Sequence, residues 1–245
     1  MAAGPLAAYI GAMTEAPSNP AEWAARTEAR LLEAALPLVE RTGWTDRLVT
    51  QAARAIGLSA AEAELLCPLG ARDLVALLSY RHDEAALTAL AGLDAGSLKI
   101  RERIARGVEA RVDAAISDEP ATRRWAGFLT LPQNLALGAR LAWQSADGIW
   151  RWAGDTAADE NHYSKRAILA ALLTSTLAVR LSASPADAEA HLQRGIEGVM
   201  AFEKFKAKFA RSGMWEQAAE ALGKMRYGAA DPEPPPETQP PADTL

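Results

Sequence analysis

From about Ala21 to Phe209 the apolar residues return every three or four positions, and Ala and Leu supply most of them. That period and those two residue types leave little room for anything but helices. Val, Ile, Thr and Tyr, which sheets favour, are sparse. The expected fold is all-α. Hydrophobic residues make up 49 % of 245 positions, enough to build a real core in one large helical domain or two small ones.

Interruptions of the period divide the chain. A helix over about Ala21–Arg41 carries Leu31, Ala35 and Leu38 on one face, and Pro37 is expected to kink it or end it early. Thr45 reads as the N-cap of a second helix, with Trp44 stapled on Val49, Leu48, Ala52 and Ile56 inward, and Gly57 as its stop. Ser59 and Glu62 form a capping box for a short third helix that Pro68 closes. A fourth runs over about Arg72–Leu90. Later helices are expected at about Leu98–Ile116 (Ile100, Ile104, Val108, Val112 inside), from Asp118 and Pro120 to before Pro132, over Asn134–Ala153 with a stop at Gly154, over His162–Leu181, and from Pro185 to at least Phe209. Trp215, Ala219, Leu222 and Met225 mark a last short segment. Residues 1–20 are expected to be flexible, and the Pro-rich acidic tail 228–245 disordered.

Residues 21–70 have the helix-turn-helix arrangement, three short helices with a Gly turn between the second and third. Charge argues against DNA as its ligand. Between Arg26 and Glu84 seven basic side chains stand against nine acidic ones, and "SAAEAELL", in the place of a recognition helix, has two Glu and no Arg, Lys, Asn or Gln. The net charge of −5 likewise disfavours a general affinity for nucleic acid or anionic membrane.

Other chemistry leaves few traces. Cys67 is the only cysteine, which excludes an internal disulfide and a thiolate metal cluster. His82, His162 and His191 form no i, i+4 pair, so no metal site is expected. There is no GxGxxG after a strand, no phosphate loop and no GxSxG. The expectation is a protein that is not an enzyme and holds no cofactor. Residues 1–20 lack the features of a signal or transit peptide, and the uncharged stretch between Arg166 and Arg180 is shorter than the roughly 20 residues of a membrane span. A cytoplasmic location follows as the expectation, with peripheral contact to a membrane left open. "FEKFKAKF" places Phe202, Phe205 and Phe209 at helical spacing with lysines between, which suits either an anionic bilayer or a docked face with a solvated lysine side.

Two stretches stand out. The 162–181 helix has Ile168, Leu169, Leu172, Leu173, Leu177 and Val179 on more than one face, so it should be covered all round, by solid core, a dimer seam or an apolar ligand cavity. Before it, "ADGIWRWAGD" sets Trp150 and Trp152 two apart, on opposite sides of a helix. Trp152 shares its stripe with Ala142, Ser145 and Ile149 and is expected inside. Trp150 shares its stripe with Trp143, Asp147 and Gly154 and is expected outside, as a Trp beside a carboxylate at a protein-binding hot spot, or packed under the Asp155–Asn161 loop. Asp155, Asp159 and Glu160 in that loop read as helix-capping acids.

The longer string "ADGIWRWAGDTAADENHYSKRAILAALLTST", with "SP" at 184–185, resembles the signature of the COQ9 family of ubiquinone (coenzyme Q) biosynthesis proteins, bacterial type. "ALPLV…GWT", "GLSAAEAELLCPLGARDLVALL" and "LKIRERI" extend the resemblance over roughly residues 26–208. It carries Asp159, Asn161, Tyr163, Lys165 and Arg166 as motif residues. The resemblance implies a TetR-like fold that does not act on DNA, with residues 71–227 as a lipid-binding and dimerisation domain. It implies a homodimer that binds an isoprenoid or acyl lipid and presents ubiquinone precursors to a di-iron hydroxylase, with a C-terminal amphipathic helix on the membrane. Its partner patch maps to Asp147 and Trp150, with Arg151, Gly154 and Asp155 beside them. Leu141, Ile149, Trp152, Leu169, Leu172, Leu173 and Thr176 are the expected walls of the lipid pocket. The alternative is a TetR-like regulator that senses an apolar ligand.

Overall fold

Local end signals set most helix boundaries. Asn19 caps α1 (Pro20–Thr42) by accepting from the Ala21 amide, and Gly43 leaves it with φ +66°. Thr45 accepts from the Leu48 amide at the head of α2 (Asp46–Ala55). Ser59 and Glu62 close a reciprocal capping box on α3 (Ala60–Leu66). The structure, a computed structural model, describes residues 19–155 and 160–211, with side chains at 19–155 and 162–199. The expected flexible end, the Asp159 and Asn161 side chains, the Phe202–Phe209 face, the Trp215 segment and the tail lie outside what is described.

α4 (Ala71–Leu90) follows, and Ala95–Ser97 makes one 3-10 turn before α5 (Ile100–Ile116). Then come α6 (Glu119–Leu129), α7 (Leu135–Trp152), α8 (Glu160–Ser182) and α9 (Pro185–Arg211). The described residues are all-α, with no strand among them. The chain forms two compact units, 1–195 and 196–245, and of the second only the end of α9 is described.

Pro37 neither ends nor breaks α1. It lies on the exposed side, and Leu31, Ala35 and Val39 are fully buried on both sides of it. Tertiary packing of that face outweighs one lost backbone hydrogen bond. Ile100, expected inside, is exposed at the first position of α5, while Ile104, Val108, Val112 and Ala115 are buried.

The core runs without a break from α1–α3 into α4, α6 and α7, through Leu31, Leu48, Leu74, Leu78, Ala121 and Leu141. It crosses the expected boundary at residue 70. Two tryptophans tie it together: Trp44 Nε1 donates to the Ala121 carbonyl at 3.3 Å, and Trp125 Nε1 to that of Val75 at 3.0 Å. Each brings a large apolar body inside and satisfies its own N–H.

Within one chain, α8 is covered along one stripe only. Arg166, Leu169, Leu173, Leu177 and Leu181 form its buried stripe, and Ala167, Ala171, Thr174 and Ala178 are exposed. The uncharged run is long, but its outer face is made of small residues whose exposure costs little. The start of α9 covers one shoulder: His191 Nε2 lies 2.9 Å from Ser175 Oγ, and a Cβ on Gly195 would fall 2.3 Å from Leu172.

Candidate functional site

The motif at the end of α7 builds a clasp between α7 and α8. α7 stops in a Schellman turn: the Asp155 amide donates to the Trp150 carbonyl and the Gly154 amide to that of Arg151, each at 3.0 Å. Gly154 has φ +86°, which a side chain would strain. Arg103 of α5 closes the turn from outside, donating Nη1–H to the Ala153 carbonyl at 2.7 Å.

Arg166 is the centre of the clasp and is 2 % exposed. Its Nε donates to Asp147 at 2.5 Å, and its Nη1 to Asp155 and to the His162 carbonyl, both at 3.1 Å. Lys165 adds a second bond to Asp155 at 2.8 Å, and Arg151 reaches Asp147 from the surface at 2.8 Å. Burial alone would raise the Asp155 carboxyl, but the hydrogen bonds and charges of Lys165 and Arg166 outweigh it and hold the group below its ordinary value. Two carboxylates shared among three cations keep a buried charge from standing alone.

Trp150 belongs to the same clasp. Its Nε1 donates to the Lys165 carbonyl at 3.1 Å, and the Lys165 ammonium lies 5.4 Å from its ring centroid. This corrects the expected outward stripe, because Asp147 and Trp150 face α8. Trp152 is not a core residue either, and both tryptophans are half-buried. Helical spacing separates the two sides of α7, but it does not say which side a later helix will cover. The surface of the hairpin end is left to Arg151, Gly154 and Tyr163, whose ring lies 6.1 Å from that of Trp143.

The other half of α7 borders a cavity of about 350 Å³. Leu129 of α6, Leu135 and Leu141 of α7, and Leu173, Leu177 and Leu181 of α8 make its apolar wall. Of the seven expected wall residues only Leu141 and Leu173 line it. Ile149 instead packs on Gly107 of α5, so closely that a Cβ there would lie 2.4 Å from its Cγ2. Leu172 meets Gly195, Thr176 borders a shallow depression with Ala188 and Leu192, and Leu169 and Trp152 lie outside the lining. The cavity lies toward the other end of the hairpin from most of the expected wall residues. The run Gly138, Ala139, Ala142 and Ser145, small residues on one face of α7, leaves that space unfilled.

One end of the cavity is polar. Arg111, 4 % exposed, donates Nε–H to Asp83 at 2.5 Å and Nη2–H to Ser79 Oγ at 3.2 Å. Ser145 Oγ donates to the same Asp83 oxygen at 2.6 Å. Arg111, Ser79 and Ser145 line the cavity, and Asp83 stands behind them. Elsewhere, α3 turns Glu64 and Leu65 outward, which suits no phosphate backbone. No cluster of three His, Cys, Asp or Glu able to hold a metal exists among the described residues.

Fold and site together define an all-α protein with a helical hairpin pinned at one end and an apolar cavity at the other. Residues 135–203, which span α7, α8 and much of α9, match the COQ9 family model. The ubiquinone biosynthesis protein COQ9, mitochondrial, of Rattus norvegicus is 30 % identical over 167 residues, which are 65 % of this chain and 53 % of the rat protein. The Homo sapiens protein of the same name is 30 % identical over 168 residues, 65 % of this chain and 52 % of its own. The chain spans about half the length of the curated relatives it matches. The match at residues 135–203 agrees with the resemblance read in the 146–166 motif. No helix among the described residues is long and apolar enough to cross a membrane.

Proposed function

We propose that this chain is a non-enzymatic, lipid-binding accessory protein of ubiquinone biosynthesis, one that holds isoprenoid quinone intermediates and presents them to a hydroxylase. The observation that carries the reading is the 350 Å³ cavity bordered by α7 and α8, which belong to the segment that matches the COQ9 family, and closed by residues of α4, α5 and α6. Its size falls within the range of small-molecule sites, and its wall is mostly apolar with a few converging polar groups. The proposed partner surface is the clasped end of the hairpin. There Arg151 and Tyr163 are exposed, and Asp147, Trp150 and Asp155 act by holding that surface in shape rather than by touching the partner. A homodimer and peripheral contact with a membrane belong to the same proposal, as does the TetR-like ancestry of α1–α3.

Mass spectrometry of lipids extracted from the purified full chain tests the reading. An isoprenoid quinone or its precursor, enriched over an unrelated helical protein purified from the same cells, is the expected result. An extract with no isoprenoid or acyl lipid above that control rejects it. Pull-down of a quinone hydroxylase should weaken in Arg151→Glu with Tyr163→Ala. An unchanged complex removes the docking surface from the proposal.

A further inference from the structure

We propose that residues 5–13 of this chain dock on its own α2–α3 groove, as a strap over the face that a helix-turn-helix protein would turn to DNA. The docking involves no lipid and stands or falls apart from the proposed lipid-binding function.

The groove has a volume of about 610 Å³. Val49 and Ala53 of α2, Leu58 of the following turn and Ala63 of α3 supply its apolar surface. Leu69 forms a lip at 64 % exposure, and Leu65, four positions earlier, continues it at 73 %. Leu65 is the most exposed large apolar side chain among the described residues. A leucine lip beside an apolar groove is the form of a site that takes one face of a helix. The charged lining is Asp46 and Glu64 against Arg54. These charges nearly cancel, so a strongly charged occupant gains little and an uncharged one loses little.

The start of the chain has the matching chemistry. No charged side chain precedes Glu15. Leu6, Tyr9, Ile10 and Met13 stand at i, i+3, i+4 and i+7, the spacing of one helical face, and Pro5 precedes them as a first-turn residue. At 1.5 Å per residue that face is about 10 Å long, and the α2 wall from Asp46 to Arg54 is about 12 Å. The attachment point is close. α1 passes the turn between α2 and α3, where Arg30 Nη2 donates to the Ile56 carbonyl at 3.5 Å, two positions before Leu58. From Arg30 the helix runs back about 15 Å to Pro20, and residues 14–19 can span about 20 Å when extended. A segment tethered so shortly meets the groove at an effective concentration near millimolar, so a weak contact is enough to seat it.

A nitroxide on Ala8→Cys, on the side away from the apolar face, tests this in the full chain. Cys67 is buried, and burial, then the charges of Asp73 and Glu28, push its thiol up to about 12. At pH 7 a maleimide nitroxide therefore reacts with the introduced cysteine. The label should broaden the backbone amide NMR signals of α2 and α3, Ala53 and Ala63 foremost, at least threefold more than those of α8. Leu6→Ser with Ile10→Ser should abolish that difference. Leu69→Lys, at an exposed position that leaves the fold intact, should reduce it severalfold. In a mixture, nitroxide on one copy should leave the signals of an isotope-labelled, nitroxide-free copy sharp. Broadening of α2 and α3 no stronger than that of α8 overturns the inference, as does a difference that both variants retain. Broadening in the mixture as strong as within one chain also overturns it, because the occupant is then a second copy.

Discussion

The two halves of α7 are built on opposite principles. From Asp147 to Asp155 the charged side chains and the Trp150 indole are paired, Arg166 is buried between two carboxylates, and Ile149 is wedged on Gly107. From Leu135 to Ser145 the facing side chains are small or aliphatic and leave about 350 Å³ unfilled. The half dense in unusual residues is the structural one, and the half that looks plain is the one with room for a ligand. A conspicuous motif can mark where a chain must be rigid, and the open site can lie a few turns away.

The strongest way to break the comparison is Arg166→Met. It leaves Asp147 only Arg151 and Asp155 only Lys165 as cations, so the cost should approach but not exceed the roughly 3–5 kcal/mol of a buried pair broken outright. The variant should melt well below the parent protein. A shift of a degree or two would mean that the clasp is only a surface ornament.

Acid should separate two sets of charges. Burial, then the charge of Arg111, lowers His82 to about 4, against the upward pull of its hydrogen bond to Asp118. The unfolded chain therefore takes up this proton first. Stability is intact above pH 6.5 and falls by roughly 3 kcal/mol as pH drops from there through 4. Asp155, held below its ordinary value, contributes its share above the unfolded carboxylate range and loses it only at lower pH, as its folded value is crossed. Chemical denaturation from pH 7 to 3 should show the first loss in the parent and not in His82→Gln. A flat profile above pH 4 would contradict it.

Gly154→Ala forces a side chain into φ +86°, with Arg103 Nη1 3.4 Å from the new Cβ, and should cost about 1–2 kcal/mol in a thermal melt. Smallest in stability, and sharpest for the comparison, is Ala139→Trp. Ala139 lines the cavity but is exposed, so the fold should change by no more than about 0.5 kcal/mol while co-purified lipid drops severalfold. Unchanged lipid content would place the ligand elsewhere.

How much of this was legible in the sequence follows from the range of each interaction. Thr45, the Ser59–Glu62 box and the stops at Gly57 and Gly154 act within one turn, and residue type alone reveals them. Pro37 misled because the packing that holds α1 straight comes from distant residues. The orientation of Trp150 depends on where α8 lies, nineteen positions from Asp147 to Arg166, and no helical stripe encodes that. A buried Arg166 runs against the ordinary habit of charges, and the two carboxylates it pairs with read in the sequence as a surface acid and a helix cap. The position of the cavity was harder to place than its walls of Leu141 and Leu173, because absent volume is written in small residues, which draw less attention than large ones.

Gly107 gives the hairpin a fulcrum. Where Ile149 presses on it, α5 and α7 meet in close contact, next to the ion-paired end and about one turn from Ser145. Beyond that point α7 and α8 are like the arms of tweezers joined at the hilt. Parting their tips at Leu135 and Leu181 would leave each ion pair of the clasp intact. Were the cavity to take the proposed lipid, the gape of the tips would follow loading, while the hilt would keep the Arg151–Tyr163 surface in one shape.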